Sequence, residues 1–317
     1  MWAFIVRRLL YNIPVYLGII LLVMAALRVN DPIYARLGKD PSQEDIDNLR
    51  AKAGLDKPFI VQYGLFLKQV VTLDFATESW STPGRTVQDR LASSVIPSLS
   101  LTLPALLLTS VISICVGIVS SYFRGRFVDK TLVFFAVLGM SISFLVYIIL
   151  GQYFGAYWLN EKLDTRIFAI SGYEPGINNW AFYCLLPIMI SVIVAMGYDT
   201  RFYRAVMVEE TTKDYITTAR AKGASKAKIM FVHMLRNAMI PIITRIMITL
   251  PFLITGSILL EMFFGIPGMG KTLLTAINDK DFPVIQAFTA IFAGVFIVSN
   301  ILTDVMYALV DPRVRVQ

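Results

Sequence analysis

The sequence has few charged residues, one histidine and two cysteines. Charged residues make up 16% of the 317 positions and hydrophobic residues 56%, whereas a soluble globular domain has ~25% charged residues. Cys115 and Cys184 both lie inside apolar runs, and His233 stands alone. Neither a disulfide framework nor a His/Cys metal centre is therefore expected. With a mean hydropathy of +0.65, the composition is that of a membrane protein.

Apolar runs long enough to cross a bilayer occur six times. A membrane-spanning helix needs ~20 mostly apolar residues. Runs of this kind lie at 9–27, 96–122, 132–154, 181–198, 239–264 and 283–310. The first is longer than the ~7–15 residues of a signal-peptide core, so we expect it to remain as an anchor. The sequence predicts an all-α membrane protein with six transmembrane helices.

The distribution of lysine and arginine predicts the orientation of these spans. With the N-terminus inside, the inner segments hold 15 basic residues in 64 positions and the outer segments 13 in 114. Basic residues concentrate on the cytoplasmic side of membrane proteins, so both termini are predicted to be cytoplasmic. The net charge of +7 then reflects topology, and no nucleic-acid partner is indicated.

The outer segment 28–95 is the longest connection between predicted spans. It divides the chain into residues 1–95, which comprise the first span and this segment, and a five-helix core at 96–317. Ser42 precedes Glu44 and Asp45 in a pattern typical of a helix N-cap. Short helices are therefore expected within the segment.

The inner segment 199–238 is predicted to form a helix, a glycine turn and a second helix. Val208, Tyr215, Ile216 and Ala219 fall on one helical stripe. Gly223 then offers a helix stop. Ser225 can cap a second helix that continues towards the fifth span. Basic residues in this segment also suit a surface that rests on anionic lipid, which is the alternative interpretation.

The same segment carries a family resemblance. Residues 214–225 (DYITTARAKGAS) and 233–238 (HMLRNA) resemble the cytoplasmic coupling loop of bacterial ABC importer permeases, particularly the dipeptide/oligopeptide branch. The general motif has Glu-Ala-Ala, three residues and Gly, whereas this chain has Thr217-Thr218-Ala219 before Gly223. The resemblance implies that this segment meets an ATPase subunit. The coupling residues would be Asp214, Tyr215, Thr218, Ala219, Arg220, Ala221, Lys222, Gly223, Ala224, Ser225, His233 and Arg236.

The resemblance covers nearly the whole chain. Further similar elements are GLDKP at 54–58, LDFA at 73–76, EMFF at 261–264, PGMG at 267–270, DFP at 281–283 and DPR at 311–313. At 73–76 both glycines of the family's Gly-Asp-hydrophobic-Gly element are replaced. The family turn at that point is therefore not assured.

The resemblance implies the function of an importer subunit that performs no bond chemistry. It implies the first of two homologous permeases, two cytoplasmic ATP-binding subunits and an external solute-binding protein, all at the bacterial inner membrane. Dipeptides or oligopeptides are the first expectation for the substrate; nickel, glutathione, microcin and oligosaccharide importers share the architecture. The outer segment 28–95 would either contact the binding protein or pack against the span ends.

One motif points to nucleotide binding. Residues 265–272 (GIPGMGKT) satisfy the P-loop pattern G-x-x-x-x-G-K-[ST]. A P-loop follows a β-strand in an α/β domain, whereas a predicted span precedes this motif. The orientation also places the motif outside, where ATP is absent. We therefore expect this chain to bind no cofactor, with ATP and Mg²⁺ on the partner ATPase subunits.

Two acids and one arginine lie inside predicted spans. A carboxylate in lipid is costly and is by default a functional candidate, so a proton-coupled secondary transporter using Glu261 and Asp304 is the alternative function. Peptide permeases also carry acids at both positions, which favours a packing or interface role. Arg245 is expected to snorkel to the inner face without a partner.

The candidates for an outer gate or pathway are few. They are Glu261, Pro267, Gly268, Gly270 and Asp304. An intramembrane hydrolase is not indicated, because His233 has no second histidine and the two acids are predicted near opposite faces. No metal site is expected.

Overall fold

Helices form nearly all of the chain. The computed structural model describes residues 2–29, 31–37, 42–52 and 54–310. Within these ranges the only β-bridge joins Glu78 to Thr86. The all-α prediction is confirmed, and the DPR element at 311–313 lies outside the described residues.

The helices of the first part follow in chain order. They are α1 (Trp2–Ala26), α2 (Pro32–Leu37), α3 (Gln43–Lys52), α4 (Phe59–Thr72), α5 (Val87–Tyr122), α6 (Phe127–Ser141), α7 (Phe144–Leu150), a π-helix (Gly151–Trp158), α8 (Leu159–Leu163) and α9 (Ile177–Glu210). Ser42 accepts a hydrogen bond from the Asp45 N–H at 3.2 Å, so the predicted N-cap of α3 is confirmed.

The second part begins with short helices and ends with two long ones. They are α10 (Asp214–Ala221), α11 (Lys226–Lys228), a π-helix (Ile229–Met234), α12 (Leu235–Asn237), α13 (Met239–Thr255), α14 (Ile258–Phe263), α15 (Met269–Asn278) and α16 (Phe282–Val310).

Five helices in the described chain are long and apolar enough to cross a membrane, and a bent pair can supply a sixth crossing. Two of them exceed the predicted spans, because α5 has 36 residues and α9 has 34. At 1.5 Å per residue each is about 50 Å long, well beyond the ~30 Å apolar layer. The apolar runs that begin at 96 and end at 198 lie inside these helices, and polar turns continue both helices past the apolar run.

The third predicted span, 132–154, is not one straight helix. The chain breaks between α6 and α7, and the helical segments on either side meet at 92°. Ile142 has extended backbone angles, and the Ser141 hydroxyl donates to the Val137 carbonyl at 2.7 Å. Serine hydroxyls compete with the backbone for hydrogen bonds. An apolar run alone carries no sign of such a bend.

The centre of the bundle is the packing of α5 against α9. A Cβ on Gly117 would lie 3.0 Å from the backbone nitrogen of Arg204, and one on Gly197 would lie 2.8 Å from the Ala136 carbonyl oxygen. Glycine at these two positions therefore lets α9 approach both α5 and α6 closely.

The bundle has two ends, named here by one residue each. At the Asp281 end, the start of α5 meets α14, since Ser98 Oγ lies 2.7 Å from Glu261 Oε1. At the Gly223 end, α6 meets α9 through Asp129 and Arg204. Arg8 near the start of α1 lies 3.3 Å from Asp304 near the end of α16, so both ends of the described chain lie on one side. That this side is cytoplasmic stays a prediction.

Asp281 joins the outer segment to the last span. It is fully buried and accepts hydrogen bonds from the Trp80 and Ser81 N–H groups, from the Ser79 and Ser81 hydroxyls and from Arg90. Burial raises the pKa of Asp281, but these hydrogen bonds together lower it below its ordinary value. At least this part of the segment 28–95 packs against the span ends.

Leu73 takes the position of the first glycine in the family's turn element. It ends α4 with φ +53°, in the left-handed region. A side chain there costs roughly 1–2 kcal/mol. Leu73 therefore ends α4 in a left-handed conformation without a glycine, at the expense of local strain.

Candidate functional site

The short helix α10 ends in a glycine turn. Gly223 has φ +77°, and its N–H donates to the Arg220 carbonyl while the Ala224 N–H donates to the Ala219 carbonyl, at 3.0 and 3.1 Å. This pair of bonds is the Schellman motif, which needs a left-handed residue after the helix. Ser225 then accepts from the Lys228 N–H, so the predicted stop and cap are both confirmed.

The predicted stripe from Val208 to Ala219 was wrong. Val208 belongs to α9, and α10 starts afresh at Asp214 after a turn at 211–213. The Thr211 and Thr212 hydroxyls donate to the Val208 and Glu209 carbonyls. These bonds satisfy the last carbonyls of α9 and help end it.

One face of α10 anchors the helix to the chain itself. Ile216 and Ala219 are buried in a cluster with Tyr203 and Met207 of α9 and Met230 of the following π-helix. Ala219 was predicted to be a coupling residue, but its side chain is buried against the bundle and is not open to a partner. Its small size instead lets α10 lie close to the bundle.

The opposite face of α10 does not pack against the rest of the described chain. Exposed members of the predicted set are Asp214, Thr218, Arg220, Ala221, Lys222, Gly223, Ser225 and Arg236, while Tyr215, Ala224 and His233 are half-buried. The Tyr215 hydroxyl donates to Glu210, and burial together with this bond raises the pKa of Tyr215. The result is a rigidly seated helix with one polar face towards solvent.

Arg245 has a partner, contrary to expectation. Its Nε and its terminal nitrogen each lie 2.9 Å from Asp199 Oδ1, and its guanidinium lies 5.7 Å from the centre of the Phe202 ring. Asp199 is in α9 and Arg245 in α13, the helices that enter and leave the segment containing α10. The ion pair ties the two together at the base of that segment.

Removing one member of this pair should cost more than removing both. We expect Asp199→Asn to destabilise the assembled protein by about 2–3 kcal/mol, because it leaves a partly buried cation unpaired. Adding Arg245→Gln should restore part of that loss. The measurement is a double-mutant cycle on apparent melting temperature in detergent.

A matched control is the exposed pair Lys213–Glu209. Glu209→Gln should cost less than about 0.5 kcal/mol. Equal losses for Glu209→Gln and Asp199→Asn would contradict a stabilising role of the Asp199–Arg245 pair.

The P-loop-like motif holds an anion from its own chain. Glu261 is fully buried, and its carboxylate accepts from the Ser98 hydroxyl at 2.7 Å and from the Lys271 N–H at 2.8 Å. The Lys271 N–H belongs to the first turn of α15, where a helix favours negative charge. Ser98 in turn accepts from the Met269 N–H at 2.7 Å.

Glycines form the wall around this carboxylate. A Cβ on Gly256 would lie 2.1 Å from Glu261 Oε1, and one on Gly268 would lie 2.3 Å from Glu261 Cδ. A Cβ on Gly270 would lie 2.8 Å from Ile258 and 3.1 Å from Glu261. The glycines thus make room for Glu261, and helix α14 rather than a β-strand precedes the loop.

The other gate candidates separate in space. Asp304 pairs with Arg8 near the chain ends and lies 22 residues beyond Phe282 in α16, about 33 Å from the Asp281 end. Pro267 lies in the loop before α15. Among the described residues, no group of three His, Cys, Asp or Glu side chains is placed to hold a metal ion.

Sequence reasoning missed the acids that pair across helices. Asp129 is buried and accepts from Arg204 at 2.7 and 2.8 Å, from Ser120 and from the Gly125 N–H. Asp199 was also not singled out, and Asp281 was named only as part of the DFP element. Each of these acids lies beside or within a predicted span. Because a buried acid nearly always has a partner, that position was a usable signal that each one pairs with another side chain.

Comparison with known proteins adds a family. Residues 113–316 match the family described as binding-protein-dependent transport system inner membrane component, and residues 1–104 match its N-terminal membrane component. A probable peptide ABC transporter permease protein of Sinorhizobium fredii is 31% identical over 99% of this chain and 100% of its own length.

Other similar proteins carry a different substrate name. The glutathione transport system permease proteins of Salmonella typhimurium and Escherichia coli K12 are 33% and 32% identical, over 99% of this chain and 99% of their own lengths.

Proposed function

Because this chain belongs to the family of binding-protein-dependent transport system inner membrane components, we propose that it forms half of the translocation pathway of an ATP-driven peptide importer. The chain is a multi-pass inner-membrane permease of the ABC type. Both termini are proposed to be cytoplasmic, which places α10 on the side where ATP is available.

The observation that carries the coupling role is the seating of α10. Its buried face is fixed to α9, and its polar face is open to a partner. A short rigid helix of this kind can act as a lever in a cleft of an ATPase subunit and transmit domain closure to the spans. The same design explains why the segment contains both buried apolar and exposed basic residues.

The proposed assembly contains a second homologous permease, two ATP-binding subunits and an external binding protein. ATP and Mg²⁺ are held by the ATPase subunits, and this chain catalyses no bond chemistry. Support for this division comes from Glu261, which occupies the anion-binding N–H of the P-loop-like motif. Glu261 and Asp304 both have partners within the chain, which supports a packing role for them over the proton-coupled alternative.

Short peptides are the proposed substrates. The resemblance to the dipeptide/oligopeptide branch makes dipeptides and oligopeptides the first choice. The glutathione permeases among the relatives extend the proposed class to small tripeptides. Nickel, microcin and oligosaccharide are the remaining alternatives within the architecture. Stimulation of ATP hydrolysis by the binding protein loaded with dipeptide, glutathione or nickel would distinguish these three substrates.

The lever role predicts a site-specific cross-link. A photo-reactive residue replacing Thr218, on the exposed face of α10, should form an adduct with an ATP-binding subunit in the assembled transporter. The control replaces exposed Arg126, at the start of α6 on the same end of the bundle. We expect at least several-fold more adduct at 218 than at 126.

Two outcomes of this experiment count against the proposal. Equal yields at 218 and 126 would indicate general proximity without a dedicated lever. Adducts at 218 with lipid alone would favour the alternative in which the basic segment rests on the membrane surface.

A further inference from the structure

A cavity lined by both polar and apolar residues lies at the Asp281 end and has no assigned role. It has a volume of about 350 Å³ and lies among α1, α3, α4 and the start of α16. Its polar lining residues include Arg28, Lys57, Gln62, Gln69 and Gln286, and its described lining residues include no Asp or Glu. Cations and amides without a carboxylate suit an anionic occupant.

Arg28 is the centre of this argument. One terminal nitrogen donates to the Gln62 side chain, and the guanidinium lies 5.2 Å from the centre of the Phe59 ring. Its Nε is buried and has no hydrogen-bond partner in the described structure. A buried unpaired donor on a cation is costly. Arg28 also lines the cavity, so its positive charge attracts an oxyanion bound there.

The nearest acid does not supply this oxyanion. Burial lowers the pKa of Arg28, and Asp31 raises it only in part. The Asp31 carboxylate lies 2.9 Å from Arg50 and is bound there. No carboxylate of the described chain is within ion-pair distance of Arg28, which lines the cavity from the end of the first span.

The helix α4 beside the cavity exposes an apolar face. It has 14 residues, too few to span a bilayer, and Ile60 and Val71 are 80% and 83% exposed. Leu65, roughly 140° around the helix from Ile60, is 45% exposed and also lines the cavity. A helix with one apolar face and one polar face is typical of the membrane interface.

An anionic cavity occupant next to an apolar surface points to an amphiphile. We propose that the cavity binds the phosphate of an anionic phospholipid, with the acyl chains along the exposed face of α4. Arg28 supplies directed hydrogen bonds to the phosphate, and Lys57 adds a positive charge at the rim. The site would fix α1 and α4 to the surrounding membrane independently of transport.

The proposal predicts lipid selectivity that depends on Arg28. The assembled transporter in neutral detergent is titrated with phosphatidylglycerol, phosphatidylcholine or glycerol 3-phosphate, and bound molecules are counted by native mass spectrometry. Phosphatidylglycerol should bind best. Arg28→Gln should weaken its binding about tenfold, as expected for loss of charge-assisted hydrogen bonds.

Two further variants keep the test sharp if Arg28→Gln folds poorly. Lys57→Gln changes an exposed side chain at the cavity and should weaken binding about fivefold. Arg166→Gln removes an exposed charge in the loop after α8, away from the cavity and from α4, and should change nothing.

Specific outcomes overturn the proposal. Equal losses in Lys57→Gln and Arg166→Gln would show attraction to general surface charge. Glycerol 3-phosphate binding as tightly as the lipid would show a site for a soluble anion, and phosphatidylcholine binding equally well would show that the charge has no role.

Discussion

Replacing Gly223 by valine is expected to lower substrate-stimulated ATP hydrolysis about tenfold or more in the assembled transporter, while the spans stay inserted. Gly223 has φ +77°, and no atom lies within 4 Å of a Cβ built there. The cost is therefore purely conformational, roughly 1–3 kcal/mol for a residue that disfavours the left-handed region. The chain can relieve it by giving up the two bonds that end α10, which changes the direction of the lever.

Two controls separate coupling from backbone strain. Gly223→Asn should retain most activity, because asparagine tolerates the left-handed region and the site has space. Gly125, between α5 and α6 at the same end, has φ +79° and equally open surroundings. Gly125→Val should introduce the same strain and keep hydrolysis coupled.

The measurements are co-purification of the ATPase subunits and hydrolysis with loaded binding protein. Wild-type coupling in Gly223→Val would contradict the lever role. Equal uncoupling by Gly125→Val would assign the effect to strain anywhere at this end of the bundle.

Gly268→Ala is expected to destabilise the protein by about 3 kcal/mol, at the high end for overpacking a buried site. The added carbon would lie 2.3 Å from Glu261 Cδ and 2.5 Å from Ser98 Oγ. Neither group can move freely, because Ser98 bonds the Met269 N–H and Glu261 bonds the Lys271 N–H. The apparent melting temperature of the purified transporter checks this.

The same glycine-to-alanine change is not expected to destabilise the protein at Gly64. This glycine lies inside α4, and a Cβ there would meet nothing within 4 Å. Alanine is the better helix former by roughly 0.5–1 kcal/mol, so Gly64→Ala should be neutral or slightly stabilising. Similar melting temperatures for Gly64→Ala and Gly268→Ala would disprove the tight clamp around Glu261.

Local signals predicted the ends and caps of short elements well. Ser42, Ser225 and Gly223 each act on residues within five positions, so their effects are visible in the sequence itself. The apolar runs likewise located the spans. They did not give the helix bounds, since α5 and α9 continue through polar turns once tertiary packing supports them.

Contacts between distant residues were beyond local reasoning. Asp199 and Arg245 are 46 positions apart, and nothing near either one indicates the other. The three-residue turn at 211–213 escaped notice because Val208 and Ala219 still fit one helical period. In the P-loop-like motif, the pattern correctly indicated an anion at a helix N-terminus, but the anion is Glu261.

The carboxylate of Glu261 makes the mutational histories of several positions interdependent. While a glutamate occupies 261, Gly256 and Gly268 have no viable larger replacement, since a Cβ at either would lie within 2.3 Å of it. A shorter residue at 261 would leave the Lys271 N–H and the Ser98 hydroxyl without their acceptor before any glycine had changed. Each first step is unfavourable alone, so we expect these positions to persist or be replaced as a group, with single substitutions selected against.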